Sequence, residues 1–238
     1  MNKILIITDA WEPQVNGVVT TMTTVSSKLK NKGYEVDVIH PGLFHTFPLP
    51  NYPEISVAWN FWDLKKKIEK SKPDFVHISV EGPLGLTGRH YCLEHNIPYT
   101  SCIHTKFPEY VYERFRIGLD VTKGILKWFH NSAAKTLVNT VSHRDELEAD
   151  GFTNLVLWSR GFDEKIFYPD PDGGKQEYLL YVGRVAVEKN IEEFLKMKSD
   201  LPKVVVGGGP SLKSYAKKYP DVDFVGFKRG EELADFYR

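Results

Sequence analysis

Lys3-Ile4-Leu5-Ile6-Ile7-Thr8 is an unbroken apolar run, followed at once by Asp9 and a loop that reaches Gly17. Apolar character without alternation reads as a strand buried on both faces, which a parallel sheet covered by helices requires. Downstream, residues 18–32 carry helical spacing that ends near Gly33, and Tyr34–Ile39 alternates as a second strand. Residues 40–60, rich in Pro, Phe and Trp, read as an ordered loop with a short strand at 55–58. A Lys-rich helix at 62–71 and strands at 75–79, 98–103, 136–141 and 154–157 follow. Helical stretches at 84–95, 108–134 and 144–149 separate them. The alternation specifies an α/β fold built from βαβ units.

Pro169-Asp-Pro-Asp-Gly-Gly174 is the strongest linker signal in the chain. Beyond it the rhythm restarts, with strands at 178–182, 203–206 and 223–227 and helices at 190–198, 211–218 and 231–238. The expected organisation is a Rossmann-like domain at 1–168 and the first half of a second one at 169–238.

Lys+Arg and Asp+Glu number 31 each. The balance holds locally, at 19 of each in 1–168 and 12 of each in 169–238. This argues against a nucleic-acid partner that reads a globally basic surface. Two cysteines, Cys92 and Cys102, supply neither a disulfide framework nor a cysteine-rich zinc site, and the eight His residues lack a compact ligand spacing, so no metal is expected. No apolar run approaches the ~20 residues of a membrane span. The expected setting is the cytoplasm.

Four segments carry candidate chemistry. Asn16-Gly17 precedes a helix, where backbone N–H groups can approach an anion; an ordinary Asn-Gly turn fits equally well. Gly183-Arg184, with Lys189 farther on, follows the first strand of the second unit. Arg184 offers a bidentate fork and Lys189 a compact charge, both suited to a diphosphate. The alternative is a surface Arg and Lys paired with Glu188 and Glu192. Gly207-Gly208-Gly209 admits close approach by a nucleotide or tight backbone packing, and packing is the stronger reading. His104 and Glu81 each leave a strand at its carboxyl end, where open α/β sheets place ligands, and Glu81 is placed to face His104 across a cleft. A satisfied core histidine, and a buried carboxylate or helix cap, are the alternatives.

Taken together, Asn16-Gly17, Glu81-Gly-Pro-Leu-Gly85, His104-Thr-Lys-Phe-Pro-Glu-Tyr110, Ser159-Arg-Gly-Phe-Asp163 and Gly183-Arg-Val-Ala-Val-Glu-Lys189 stand in the order found in one enzyme group. The chain resembles the retaining GT-B glycosyltransferases of family four, a group with lipid mannosyl-, glucosyl- and sulfoquinovosyltransferases. The resemblance implies two Rossmann-like domains facing a cleft, an acceptor-side domain first and a nucleotide-sugar domain second. It implies metal-independent hexose transfer, with retention, from a UDP- or GDP-sugar to a lipid or cell-envelope acceptor. By motif, Asn16, Gly17, Gly183, Gly208 and Gly209 belong to the donor site. Arg184 and Lys189 hold the diphosphate, His104 lines the sugar site, and Glu81 joins it in positioning sugar and acceptor. Position 208 is Gly where the family commonly has Asp. The paired-Glu motif expected farther on lies beyond Arg238, so a non-catalytic fragment needing a C-terminal half is the competing reading. A GT-B epimerase or phosphorylase fits the fold but not the His104–Pro108 segment.

Two stretches bear on the acceptor. Lys65, Lys66, Lys67, Lys70 and Lys72 crowd near Phe61 and Trp62; Lys123, Lys127 and Lys135 accompany Ile125, Leu126, Trp128 and Phe129. Basic and aromatic faces suit the anionic inner face of a membrane. Solvated helix faces and core aromatics explain the same residues.

Overall fold

The computed structural model describes residues 2–14, 16–49, 52–104, 118–170 and 177–238. The chain divides into two compact units, Met1–Arg160 and Gly161–Arg238. That division lies upstream of the 168/169 boundary suggested by linker composition; linker residues 171–174 are outside the described ones.

In the first unit, β1 (Lys3–Ile7) leads to α1 (Gly17–Asn31) and β2 (Glu35–Ile39). A hairpin of β3 (Thr46–Leu49) and β4 (Tyr52–Ala58) precedes α2 (Leu64–Ser71), β5 (Phe75–Ile78), α3 (Pro83–Glu94) and β6 (Tyr99–Ile103). Then come α4 (Leu119–His130), β7 (Lys135–Val138), α5 (Val141–Ala149) and β8 (Leu155–Leu157). The strands order as β2-β1-β5-β6-β7-β8, every pair parallel. Leu5, Ile6 and Ile7 are buried, as the opening run demands. Leu64, Ile68, Ile78, Leu84 and Phe129 pack with Leu5 and Ile7 in one core cluster.

The short strand expected at 55–58 is present within β4, but the rest of 40–60 is not simply a loop: β3 pairs with β4 as an antiparallel hairpin, with Phe47 opposite Val57 and Pro48 opposite Ser56. Composition misleads here because Pro48 looks like a strand breaker. A two-stranded ribbon has free edges, where a residue without an N–H is tolerated. Of the one or two helices expected over 108–134, α4 is the part described, since 105–117 lie outside the described residues.

Two helices hold the later site residues in place. Gly85 of α3 sits where a Cβ would overlap the Val80 carbonyl, so the helix can lie directly on the turn after β5. Arg89 of the same helix is buried and donates to the Trp128 and Phe129 carbonyls at 3.0 and 3.2 Å. A cation on the last carbonyls of α4 offsets that helix end's negative potential and anchors His130 beside it.

The second unit contains β9 (Leu179–Val182), α6 (Ile191–Lys196), β10 (Lys203–Val206), α7 (Leu212–Lys218), β11 (Val222–Gly226) and α8 (Gly230–Tyr237). Its parallel sheet orders as β11-β10-β9, the arrangement of one half of a doubly wound sheet. Val185, Ile191, Leu195 and Val205 form its core.

Candidate functional site

Because β1 lies between β2 and β5, the winding of the first sheet reverses at the β1/β5 junction, where such sheets open a crevice at their carboxyl ends. Asp9 follows β1 there. Its two carboxylate oxygens accept the backbone N–H groups of Leu84 and Gly85 at 2.9 and 3.0 Å, capping α3. Burial pushes its pKa up to about 6 against these two bonds, and the nearby Glu81 charge adds to the rise. Asp9 was not among the candidates read from sequence, although its place directly after a buried strand is a usable signal.

Glu81 follows β5, and its partner corrects the expectation. Oε1 of Glu81 lies 3.0 Å from Nε2 of the fully buried His130, not against His104. Nδ1 of His130 meets Ser101 Oγ at 2.8 Å, and Ser101 Oγ meets Thr136 Oγ1 at 3.0 Å. Glu81 is therefore the outer end of a buried polar chain.

His104 follows β6 and meets Arg160, the last residue of the unit. Arg160 Nη2 donates to His104 Nδ1 at 2.9 Å. A guanidinium carries only donors, so Nδ1 holds a lone pair and the ring proton sits on Nε2. Nε2 is buried and has no hydrogen-bond partner among the described residues. Burial first, then the Arg160 charge, push the ring's pKa down to about 3, partly offset by the Ser79 backbone. His104 is thus neutral and poorly suited to act as a base.

Asn16 caps α1, its Oδ1 taking the Val18 and Val19 N–H groups at 3.0 Å each. Two first-turn donors that a bare helix end would offer an anion are thereby occupied. Gly17 lies against Arg160: a Cβ there would stand 3.2 Å from Nη1. The structure thus joins Gly17, His104 and Arg160 in one group, and Glu81 with His130 in another.

In the second unit, Gly207 has φ +149°, and a Cβ on it would overlap the Gly183 carbonyl; one on Gly209 would overlap that of Val185. Val185 N–H donates to the Gly208 carbonyl at 2.9 Å, and Ser211 N–H to Val185 at 3.1 Å. These glycines interlock two backbone turns, which is the packing reading. Gly208 alone has open space at its Cβ, so the family's Asp would fit there. Arg184 begins the turn after β9, its carbonyl accepting from Tyr181 Oη at 3.2 Å. Lys189 is exposed at the end of the 3-10 turn Val187–Lys189. Glu192, one suggested surface partner, is engaged by Lys218, Lys196 and Tyr219.

Of the aromatic and basic stretches, Leu126 and Phe129 are core residues, whereas Val121, Ile125 and Trp128 are exposed along one face of α4. Trp59 and Trp62 are each 53% exposed. Lys123 pairs with Asp150 at 2.8 Å and Lys65 with Glu94 at 2.9 Å. Among the described residues no helix is long and apolar enough to cross a membrane, and no group of three His, Cys, Asp or Glu residues could hold a metal ion.

The sequence pattern of Glycosyltransferase Family 4 matches residues 15–166. The chain belongs to that family. This family 4 chain is 27% identical to a GDP-mannose-dependent alpha-mannosyltransferase of Corynebacterium glutamicum, over 99% of its own length and 64% of the relative's. It is 26% identical to the sulfoquinovosyl transferase SQD2 of Arabidopsis thaliana, over 81% of its length and 42% of the relative's. The alpha-monoglucosyldiacylglycerol synthase of Streptococcus pneumoniae is 24% identical, over 99% and 64%. The chain thus spans less than two thirds of each of these three relatives.

Among solved structures, the apo lipopolysaccharide outer core galactosyltransferase WaaB matches with TM-score 0.56 and 14% identity, over 95% of this chain and 68% of that one. A Staphylococcus aureus MnaA–UDP complex matches at 0.56 and 14%, over 100% and 71%. At such identities the likeness concerns the fold, which is of the GT-B type.

Proposed function

We propose that the protein is a hexosyltransferase that moves a sugar from a nucleotide-diphosphate donor to a lipid or cell-envelope acceptor, with retention of anomeric configuration. The family match over 15–166 carries this reading. The glycolipid synthase and mannosyltransferase names among the relatives support its acceptor and donor classes, and GDP-mannose is the first donor to test.

In this reading Arg184 and Lys189 neutralise the diphosphate as the bond from the anomeric carbon breaks. Fixed cations at a developing charge act without reorganisation, and no metal is invoked. His104, neutral and with both ring nitrogens committed or buried, positions rather than accepts a proton. Glu81, tethered to His130, presents a fixed carboxylate to the acceptor side. The exposed Trp59 and Trp62, with neighbouring α2 lysines, support peripheral contact with the anionic inner face of a membrane.

Calorimetric titration with GDP, UDP and their sugar conjugates, followed by turnover on lipid acceptors in anionic vesicles, tests the reading. Arg184→Ala and Lys189→Ala should each lower kcat about a hundredfold. Near-wild-type turnover in both would reject their roles. A folded chain without saturable nucleotide binding would favour the alternative of a non-catalytic piece completed by a further C-terminal half.

A further inference from the structure

Arg160 is an exposed guanidinium with an unusual set of neighbours. Among the described residues no carboxylate pairs with it; its bonded partner is the lone pair of the uncharged His104. Two acids at the same end of the sheet are committed elsewhere, Asp9 to the N–H groups of α3 and Glu81 to His130. On its other side, Nη1 lies against Gly17, the first residue of α1. That is the positive end of a helix of 15 residues, where a cation is repelled and an anion attracted. A half-buried histidine is thus used to hold a cation where the local field disfavours it.

Such an arrangement gains stability when an anion arrives. His104 engages one of the five guanidinium donors, and exposure leaves others accessible as a fork. A planar fork matches two oxygens of a phosphate, which a lysine ammonium does not. The absence of a side chain at Gly17 lets Nη1 lie against the first turn of α1; a methyl group there would press on it. His104 accepts from Nη2 and does not compete for negative charge. Its own Nε2 is shut away from solvent, so a ligand approaching this corner meets Arg160 and not the histidine's polar atoms.

We propose that Arg160 is the phosphate-binding cation of the first unit, with His104 and Gly17 as its positioning residues. The proposal deepens the glycosyltransferase reading, on which the identity of the phosphate rests: either the donor's diphosphate or the phosphate of a lipid headgroup. It changes the part expected of His104, from lining the sugar site to holding the residue that contacts the ligand.

Calorimetry on the whole chain with two probes, GDP and glycerol 3-phosphate, separates the sources. Arg160→Met should weaken one of them about tenfold or more, as expected for losing a charged hydrogen-bond partner. A loss confined to GDP assigns the donor, and a loss confined to glycerol 3-phosphate assigns the headgroup. Arg160→Lys should restore only part of the affinity. His104→Leu should weaken the same probe severalfold, and His104→Gln, whose amide oxygen accepts from the guanidinium, should recover it; thermal unfolding of each variant separates these effects from misfolding. The proposal is overturned if the wild type binds neither probe, or if a folded Arg160→Met binds both as the wild type does. Phosphate binding through Arg160 without sugar transfer to any acceptor would instead sink the glycosyltransferase reading and leave this one standing.

Discussion

The carboxyl ends of the two sheets are built from different materials. In the first unit they carry side chains bound to one another: Asp9 on α3, Glu81 on His130, His104 on Arg160. In the second unit they are nearly bare backbone, with Gly183, Gly207 and Gly209 letting two turns interlock before Arg184 and Lys189 add charge. A side-chain site degrades by steps, because each partner contributes one or two bonds. At Gly207 and Gly209 the backbone site has no spare volume, and a single methyl group is enough to open it.

The sharpest way to break this contrast is Gly207→Ala. A Cβ overlapping the Gly183 carbonyl, on a residue with φ +149°, should cost about 3 kcal/mol in urea unfolding. A loss below 1 kcal/mol would show that the turns yield. Next comes His130→Leu, which strands Glu81, leaves Ser101 with Thr136 alone, and should cost about 2 kcal/mol. Combining it with Glu81→Gln should add much less than a second independent loss, and full additivity would show that the two do not act as a pair.

Asp9→Asn probes pH. The folded-state pKa of Asp9, about 6, lies above its ordinary 3.8, so the protonated acid is the better-accommodated form. Its contribution to stability is complete below about pH 4 and is lost as pH rises through about 6. Wild-type stability minus that of the variant should therefore fall over this window by up to about 3 kcal/mol; a flat difference refutes the assignment. The smallest effect is expected at Gly208→Asp. Its side chain enters open space, and stability should stay within about 0.5 kcal/mol of wild type.

Much of the fold was legible because it depends on short-range pattern. The run Ile4–Ile7 announces a doubly buried strand, and the spacing of Val19, Met22 and Ser26 matches the buried face of α1. Of the hairpin at 46–58, the strand at 55–58 was read but β3 was missed, because pairing, not composition, makes the ribbon. The site was half legible. His104 and Glu81 were found from their places after strands, but His130 lies at the end of a helix with nothing local to distinguish it. Arg160 was visible only as one letter of a motif.

By itself, then, the sequence determined the α/β alternation, the parallel sheets and the glycines at their ends. Backbone geometry and apolar periodicity act over a few residues, and those residues are read together. Only the tertiary structure decided which polar groups meet. Glu81 and His130 are 49 residues apart, His104 and Arg160 are 56, and Asp9 and Leu84 are 75. Those meetings follow from the strand order β2-β1-β5-β6-β7-β8, which brings the carboxyl ends of distant strands to one edge. Once there, the Asp9 and Glu81 carboxylates settle on partners that offset their lost hydration.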